Sequence, residues 1–338
     1  MRTAATLLRP LPESCGLAMI PIIYHPRYNI TVFGMERLHP FDGRKYRRIH
    51  DALIARGLRK PSDFIRPKPV GRAELERVHT PGYLKSLRRS RVLAEILNVP
   101  LIARLPAWFT DWRVLAPMRY ATGGTVLACR LALDSGVAIN LAGGYHHAAS
   151  DHGEGFCPYA DIPLAAATLH AEGRVGRVLV VDLDAHQGNG IAATIRPWPW
   201  ASILDVYEDD LYPNPKEPED YPIPIAWDIT GPEYLETIDV SLPNVLEAVR
   251  PDLVIYNAGS DPYIEDPLTR LGLSRNDLAD RDLMVATHVR ERGIPLAMVL
   301  SGGYARDSWR IHADGIEAIL ARFDRAAPLP AVDESTAP

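Results

Sequence analysis

Short runs of apolar and β-branched residues alternate along the chain with longer segments of helical periodicity. Such runs are typical of strands that are buried in a parallel sheet. The predicted strands cover residues 19–24, 136–141, 177–184, 201–206, 252–259 and 295–302. The predicted helices cover residues 44–56, 72–78, 81–89, 122–134, 162–172, 233–249, 276–292 and 308–323. This alternation predicts an α/β fold in which helices flank a parallel sheet.

Glycine and proline refine these boundaries, and two segments do not follow the pattern. Gly123 and Gly124 are predicted to open one helix, and Pro251 follows the end of another. Residues 98–120 contain three prolines, and residues 207–232 are crowded with proline and acidic side chains. Long loops inside compact domains are often functional, so these two segments could form the rim of a cleft. They could equally be ordinary surface loops.

The length and composition are those of a globular protein. The chain has 338 residues, of which 47% are hydrophobic and 23% charged, enough for one large domain or two small ones. We find no internal repeat and no linker that divides the middle of the chain. We therefore predict a single domain over residues 19–326, preceded by an N-terminal extension (1–18). A disordered tail rich in proline, alanine and acidic residues (327–338) is predicted to follow it.

Charge, hydropathy and cysteine usage narrow the possible partners and the compartment. A net charge of -5 gives no reason to expect a broad basic face for nucleic acid, although a basic peptide could still bind. No apolar run approaches the roughly 20 residues needed to span a bilayer, and the N-terminus lacks the features of a signal peptide. Cys15, Cys129 and Cys157 are too few for a disulfide framework. We therefore predict a cytoplasmic protein without membrane or direct nucleic-acid contacts.

Four of the predicted strands run into turns that carry reactive side chains. These turns read "AGGYHHAASDHGEGF", "DLDAHQGNG", "SDP" and "SGGY". In parallel α/β sheets, ligands bind at the carboxyl ends of the strands, which all lie on one edge. Four such turns on the same edge predict a functional site there.

Three residues from two of these turns have the chemistry of a metal site. Asp184 and His186 are two residues apart, so in an extended strand they point to the same side, and Asp261 follows another strand. Two carboxylates and an imidazole would bind zinc and leave one position open for water or substrate. Taken singly, Asp184 could be a turn residue and His186 a hydrogen-bonded core histidine. The three together favour a zinc centre.

The other two turns supply candidates for acid–base chemistry. His146 and His147 are adjacent, and imidazole has an ordinary pKa suited to proton transfer near neutral pH. Asp182 and a further partner could orient them. In "SGGY" the glycines allow a sharp turn, so that the hydroxyl of Tyr304 could face a substrate carbonyl and stabilise an oxyanion. An aromatic residue after a strand is more often simply packed, so Tyr304 alone carries little weight.

These motifs, in this order, resemble the zinc-dependent histone deacetylase superfamily, which has the arginase-deacetylase fold. The matching segments are "GGYHHA", "GFC", "VDLDAHQGNG", "AGSDP" and "SGGY", and the resemblance spans residues 20–325. Within the superfamily the chain is most similar to class IV, through "YHPRYNI", "HPFD", "VHTPGYL", "MRYATGGT" and "DVYEDDLYP". The resemblance implies an eight-stranded parallel sheet with helices on both faces. It also implies a bacterial enzyme that hydrolyses an acyl group from an amine, typically the lysine ε-nitrogen.

The resemblance also assigns roles to individual residues. It implies zinc on Asp184, His186 and Asp261, with His147 as general base and acid. His146, oriented by Asp182, would give electrostatic support, and Tyr304 would donate to the carbonyl oxygen. The implied substrate-binding residues are Gly155 and Phe156 along the acyl-lysine tunnel, Tyr212 on the opposite wall, Leu268 near the mouth, and Gly303. A structural monovalent cation, usually potassium, would take Asp182, Asp184, His186 and Asp205, partly through backbone carbonyls.

The chain departs from many deacetylases at two points. In those enzymes an aspartate pairs with the second histidine, and this chain has Asn189 at that position. Class IV proteins also have asparagine there. Because asparagine lacks a full charge, we expect the pKa of His147 to be lower than in an aspartate-paired site. We also find no clear equivalent of the rim aspartate that holds the substrate backbone, so the sequence leaves peptide specificity open.

Three other functions compete with lysine deacylation. An arginase-like enzyme with two manganese ions would need carboxylates where this chain has Gly188 and Tyr263, which argues against it. A deacetylase of acetylpolyamines or other small acylated amines would keep the fold and the zinc. A non-catalytic protein that binds acyl-lysine would not need the zinc ligands, both histidines and Tyr304. The sequence leaves acyl-chain length, oligomeric state and pathway open.

Overall fold

The computed structural model describes residues 19–31 and 41–324. Both predicted terminal segments, the extension (1–18) and the tail (327–338), therefore lie outside the described residues.

A parallel sheet of eight strands forms the centre of the described chain. The strands are β1 (Ile22–Ile23), β2 (Phe64–Ile65), β3 (Val137–Asn140), β4 (Val178–Asp182), β5 (Ala201–Glu208), β6 (Tyr221–Ile225), β7 (Leu253–Asn257) and β8 (Leu296–Val299). Their order is β2-β1-β3-β8-β7-β4-β5-β6, and all neighbouring pairs are parallel. The predicted fold class is confirmed.

Helices connect the strands and pack on the two faces of the sheet. They are α1 (Lys45–Ala55), α2 (Arg72–Leu75), α3 (Pro81–Ser86), α4 (Ser90–Ile96), α5 (Ala107–Thr110), α6 (Ala116–Ser135), α7 (Asp161–Ala171), α8 (Asn189–Ile195), α9 (Gly231–Val249), α10 (Arg275–Glu291) and α11 (Ser308–Phe323). Helices α1, α11, α10 and α9 pack side by side in that order, and α6, α7 and α8 form a second group. Every residue of β3, β4, β7 and β8 is buried between these layers.

The apolar runs predicted six strands, and all six are present with slightly different limits. Two strands were missed. Strand β2 has only two residues, and β6 alternates apolar residues with Pro222 and Pro224 at the edge of the sheet, where missing amide donors are tolerated. Because β6 lies within 207–232, that segment is not entirely loop. The 98–120 segment is mostly helical, with a 3₁₀ turn (Pro100–Arg104), α5, a π-helix (Asp111–Leu115) and the start of α6.

The prediction that Gly123 and Gly124 open a helix is wrong, because both lie inside α6. Glycine is required there by close packing. A Cβ atom on Gly123 would lie 2.0 Å from the carbonyl oxygen of Lys68, and one on Gly124 would lie 2.1 Å from the hydroxyl of Tyr28. The prediction for Pro251 is confirmed, since α9 ends at Val249.

The sheet order explains why the four reactive turns lie together. Strands β3, β8, β7 and β4 are consecutive neighbours, so the loops after them leave the same edge of the sheet side by side. Asp182, the last residue of β4, is in register with Asn257, the last residue of β7. Among the described residues, no helix is long and apolar enough to cross a membrane.

Candidate metal centre and active site

Asp184, His186 and Asp261 form a compact group of three potential metal ligands. Each offers one ligand atom, these atoms lie within 4.8 Å of one another, and all three residues are buried. The Nδ1 atom of His186 is 3.2 Å from Oδ1 of Asp184 and 3.0 Å from Oδ2 of Asp261. One imidazole and two carboxylates on loops after β4 and β7 are a ligand set that fits zinc.

The backbone and a hydroxyl fix the orientation of both carboxylates. Oδ2 of Asp184 accepts hydrogen bonds from Oγ of Ser301 (2.9 Å) and from the amide of Gly302 (3.0 Å). Oδ1 of Asp261 accepts from the amide of Ala185 (2.9 Å). Such partners hold metal-binding carboxylates in place and tune their affinity.

The prediction that Asp184 and His186 lie on an extended strand is wrong. Strand β4 ends at Asp182, so both ligands lie on the following loop rather than on an alternating strand. The loop is held by successive side-chain-to-backbone bonds, in which the Asp184 amide donates to Asp182 Oδ1 and the His186 amide donates to Asp184 Oδ1, both at 3.1 Å. These local turns bring the two side chains to the same place.

The two adjacent histidines lie beside this group and have different partners. Nδ1 of His146 is 3.0 Å from Oδ2 of Asp182, whereas Nδ1 of His147 is 2.7 Å from Oδ1 of Asn189. Asn189 donates through Nδ2 to the carboxylate of Glu154 at 2.5 Å. That bond fixes Oδ1 as the acceptor, so Nδ1 of His147 carries the proton and Nε2 has a free lone pair.

The pKa values of His146 and His147 are shifted in opposite directions. Burial disfavours the charged form of His146, but the carboxylates of Asp184 and Asp182 outweigh it and raise its pKa to about 9. Burial holds the pKa of His147 well below its usual range, and the positive charges of His146 and His186 act in the same direction. The hydrogen bond to Asn189 opposes this shift only in part. Their surroundings thus favour the charged form of His146 and the neutral form of His147.

Tyr304 lies on the loop after β8, in a tightly constrained turn. Its amide donates to Oδ2 of Asp266 at 2.6 Å. Gly303 has a φ of +120°, and a Cβ atom there would lie 1.9 Å from Oγ of Ser260, so only glycine fits. Burial, reinforced by the charges of Asp184 and Asp261, holds the pKa of the Tyr304 phenol well above its usual value. The hydroxyl therefore stays protonated and can donate a hydrogen bond.

Lys45, a fully buried residue of α1, supports the same turn and was not identified from the sequence. Its Nζ donates to the carbonyl oxygens of Ser301 (2.8 Å) and Gly302 (2.9 Å). Burial lowers its pKa to about 8. A signal was present, since Lys45 shares the buried face of α1 with Ile49 and Leu53.

A mostly apolar cavity of about 120 Å³ is lined in part by His146 and Tyr304. Gly155 and Phe156 line it, as do Cys157 and the residues of the "SGGY" turn other than Gly303. A Cβ atom on Gly155 would lie 2.2 Å from Cδ2 of His147, so glycine lets this wall approach the imidazole ring of His147. The apolar part of the lining consists of Ile30, Phe41, Leu97, Val99, Leu101, Ile102, Val114 and Met118.

Tyr212 and Leu268, two further predicted substrate residues, are not among the described residues that line this cavity. The ring of Tyr212, 42% exposed, packs edge-on against His147 with 5.0 Å between ring centroids. Leu268 is half-buried on the loop after Asp261 and is not among the described residues that line the cavity. The structure thus brings Tyr212 to the histidines but does not bring Leu268 to the cavity wall.

A second acidic cluster lies next to Asp182. Asp205 accepts at Oδ2 from the amide of Gly188 (2.7 Å), while its buried Oδ1 has no hydrogen-bond partner. Both carboxylate oxygens of Glu219 are likewise buried without a partner. Burial, together with the charges of Asp182 and Glu219, raises the pKa of Asp205 well above its usual value. These open acceptor oxygens fit a bound cation. Glu219 was not identified from the sequence because it lies in the segment interpreted as a loop.

Comparison with known proteins identifies the family. Residues 39–319 match the model of the histone deacetylase domain. The chain is 38% identical to histone deacetylase 2 of Arabidopsis thaliana over 304 residues, which cover 89% of this chain and 79% of that protein. It is 27% identical to the acetoin utilization protein AcuC of Bacillus subtilis, over 86% of this chain and 78% of that protein.

A solved structure shows the same fold. The crystal structure of the HDA15 HD domain superposes with a TM-score of 0.73 at 22% sequence identity, covering 93% of this chain and 90% of that chain. The family-model match extends over most of the chain and includes all the strand-end turns described above. The chain therefore belongs to the histone deacetylase family and is a hydrolase of that type.

Proposed function

We propose that this protein hydrolyses the acyl amide of acylated lysine side chains, removing an acetyl or a longer fatty acyl group. The observation that carries this proposal is the position of the apolar cavity, which is lined by His146, Tyr304 and Gly155, the last of which lies against the ring of His147. An acyl chain in that cavity would place its carbonyl within reach of His147 and Tyr304. We assign zinc to Asp184, His186 and Asp261, whose donor atoms and burial fit it.

Each side chain has a distinct role in this reaction. A bound zinc ion would lower the pKa of a coordinated water and polarise the acyl carbonyl. Nε2 of His147 takes the proton of the attacking water and later returns it to the leaving amine nitrogen. Tyr304 donates its hydroxyl hydrogen to the carbonyl oxygen as negative charge develops there. His146, whose Nδ1 lies 3.0 Å from Oδ2 of Asp182, gives electrostatic support to the same charge.

The proposal also covers a structural cation, the deacetylase class, the limits of the catalytic domain, the compartment and the partners. We assign a structural potassium ion to Asp182, Asp184, His186 and Asp205, and the open oxygen of Asp205 supports a cation there. The hydrogen bond between Asn189 and His147 supports the class IV assignment. We also propose that residues 19–326 form the catalytic domain of a cytoplasmic enzyme whose partners are acylated proteins or peptides, rather than nucleic acid or membrane.

Small acylated amines such as acetylpolyamines are the second candidate substrates. They are favoured by the absence of a recognisable rim aspartate that would hold a peptide backbone. Hydrolysis of acetyl-, decanoyl- and myristoyl-lysine peptides should be compared with hydrolysis of acetylpolyamines by the zinc-loaded enzyme. We expect the peptides to have the higher kcat/KM, whereas preferential turnover of acetylpolyamines would reverse the assignment.

The length of acyl chain accepted should depend on the volume of the cavity. Val99 is half-buried and lines it. Val99→Phe would fill part of the space, so we expect kcat/KM for decanoyl-lysine to fall about tenfold or more while acetyl-lysine hydrolysis stays nearly unchanged. Val240→Phe, on the exposed surface of α9, makes the same substitution away from the cavity and serves as the control. An equal loss for both acyl groups would contradict this use of the cavity.

Asn189 should set the acid limb of the pH profile. In Asn189→Asp, a carboxylate beside Nδ1 of His147 would favour the charged imidazole and raise its pKa. Since the base acts only when neutral, the acid limb of kcat/KM should move to higher pH by a similar amount. Profiles measured on one acyl-lysine peptide would test this. Superimposable limbs would contradict the assignment of His147 as the base.

A further inference from the structure

The carboxylate of Glu154 links two side chains that both contact His147. Nδ2 of Asn189 donates to Oε1 of Glu154 at 2.5 Å, and Oδ1 of Asn189 lies 2.7 Å from Nδ1 of His147. The hydroxyl of Tyr212 also donates to Glu154, and the ring of Tyr212 packs edge-on against His147 with 5.0 Å between ring centroids. Glu154 is thus connected to this imidazole by two separate routes.

The backbone of Glu154 is held in a closed turn. Glu154 forms a β-bridge with Cys157, whose amide donates to the carbonyl oxygen of Glu154 at 2.8 Å. The glycines on either side leave no room for a side chain. A Cβ atom on Gly153 would lie 2.6 Å from the carbonyl oxygen of Cys157, and one on Gly155 would lie 2.2 Å from Cδ2 of His147. The carboxylate therefore has a fixed place before any substrate binds.

Glu154 decides which way the side-chain amide of Asn189 is turned. A carboxylate only accepts hydrogen bonds, so Nδ2 of Asn189 faces Glu154 and Oδ1 faces His147. Without that acceptor the amide can rotate and present Nδ2 to the ring, which favours a proton on Nε2 of His147. The nitrogen that takes the proton of the attacking water would then lack its lone pair.

The same carboxylate places a negative charge behind the amide of Asn189. When Nε2 of His147 takes a proton, the ring becomes a cation, and a carboxylate close to it favours that state. Hydrogen bonds in such a series polarise one another, so the charge acts through the neutral amide. Glu154 can therefore support the base during the reaction even though Asn189 carries no charge.

We propose that Glu154 is a positioning residue for acyl-amide hydrolysis, which acts through Asn189 and Tyr212 to fix the tautomer and the orientation of His147. This role rests on the proposed function, in which His147 is the base. Glu154 holds that base in place, without binding the metal or exchanging a proton with the substrate.

Steady-state hydrolysis of one acyl-lysine peptide by the zinc-loaded enzyme tests this role. We expect kcat to fall about 100-fold in Glu154→Ala with a smaller change in KM, since a wrong histidine tautomer lowers kcat by about 10⁴-fold in a Ser-His-Asp triad. Glu154→Gln keeps an acceptor oxygen without the charge, so we expect a loss of about tenfold. Asp151→Asn is the matched control and should keep full kcat, because it removes a carboxylate of the same loop that is 69% exposed and pairs with His152.

A double variant separates positioning from a merely structural role. Asn189→Asp places a carboxylate directly beside Nδ1 of His147, so the charge of Glu154 is no longer needed. In that background Glu154→Gln provides an amide that can donate to the new carboxylate. We therefore expect the double variant to have a kcat about fivefold above that of Glu154→Gln alone, each measured at its own pH optimum.

The tautomer can be read without turnover, by ¹⁵N-resolved NMR of the imidazole groups in the zinc-loaded protein. The signal of His147 is assigned from its loss in His147→Ala. We expect the proton on Nδ1 in the unmodified protein and in Asp151→Asn, and its displacement to Nε2 in Glu154→Ala. The near-isosteric Glu154→Gln keeps the kinetic test available where Glu154→Ala does not fold.

Full kcat in both Glu154 variants would overturn the proposal, and so would a proton that stays on Nδ1 in Glu154→Ala. An equal loss in Asp151→Asn would reduce the effect to general charge. A loss in Glu154→Gln that Asn189→Asp leaves unchanged would make Glu154 a structural residue only. Absence of turnover by the unmodified zinc-loaded enzyme would instead contradict the proposed function, and the NMR measurement would still decide the part that Glu154 plays in the tautomer.

Discussion

The Tyr304→Phe variant is expected to lose about 100- to 1000-fold in kcat while keeping its fold and its substrate affinity. Removal of one preorganised donor to a developing oxyanion commonly has an effect of this size. The phenol is suited to this role because burial and the charges of Asp184 and Asp261 keep it protonated. The ring would remain packed against Phe156, with 5.9 Å between centroids, so the wall of the cavity should be preserved.

Single-turnover and steady-state hydrolysis of one acyl-lysine peptide would measure this loss. Tyr120→Phe is the matched control, because it removes a hydroxyl from α6 outside the active site and keeps the stack on His25. We expect the control to retain full kcat, and both variants to unfold at temperatures close to that of the unmodified protein. Unimpaired turnover by Tyr304→Phe would remove Tyr304 from the mechanism.

The location of the candidate site could be predicted from the sequence because it follows from strand topology. Continuous apolar runs indicated β3, β4, β7 and β8, and the carboxyl ends of parallel strands share one edge. Strand topology alone therefore predicted that Asp182, His147 and Tyr304 lie close together. Asn189 was also identified in advance, and it pairs with Nδ1 of His147, although burial and not this hydrogen bond lowers the pKa of that histidine.

Other parts of the site could not be predicted, because they depend on contacts between residues far apart in the chain. Lys45 reaches the turn at Ser301 across more than 250 residues, and its place on the buried face of α1 does not indicate which residues it contacts. Glu219 lies beside Asp205 only because β6 pairs with β5, and the prolines of β6 concealed that strand. Position 123 must be glycine because the backbone carbonyl of Lys68 lies against it. Helix periodicity cannot reveal that contact.

Removal of the metal is expected to have the largest effect of all, a complete loss of hydrolysis. In the proposed mechanism zinc would supply both the activation of water and the polarisation of the carbonyl, and His147 and Tyr304 alone would replace neither. The site itself favours a cation, since Asp184 and Asp261 are fully buried carboxylates within 4.8 Å of each other and of His186. A chelator should therefore remove activity without removing the helices and strands of the fold.

Metal content and hydrolysis of an acyl-lysine peptide, measured on the same sample before and after chelation, are the most direct test of zinc-dependent hydrolysis. We expect about one zinc ion per chain before chelation, loss of turnover in proportion to the zinc removed, and recovery when zinc is returned. Circular dichroism of the chelated protein would show that it remains folded. Hydrolysis that continues at the original rate after complete removal of the metal would contradict the proposed function.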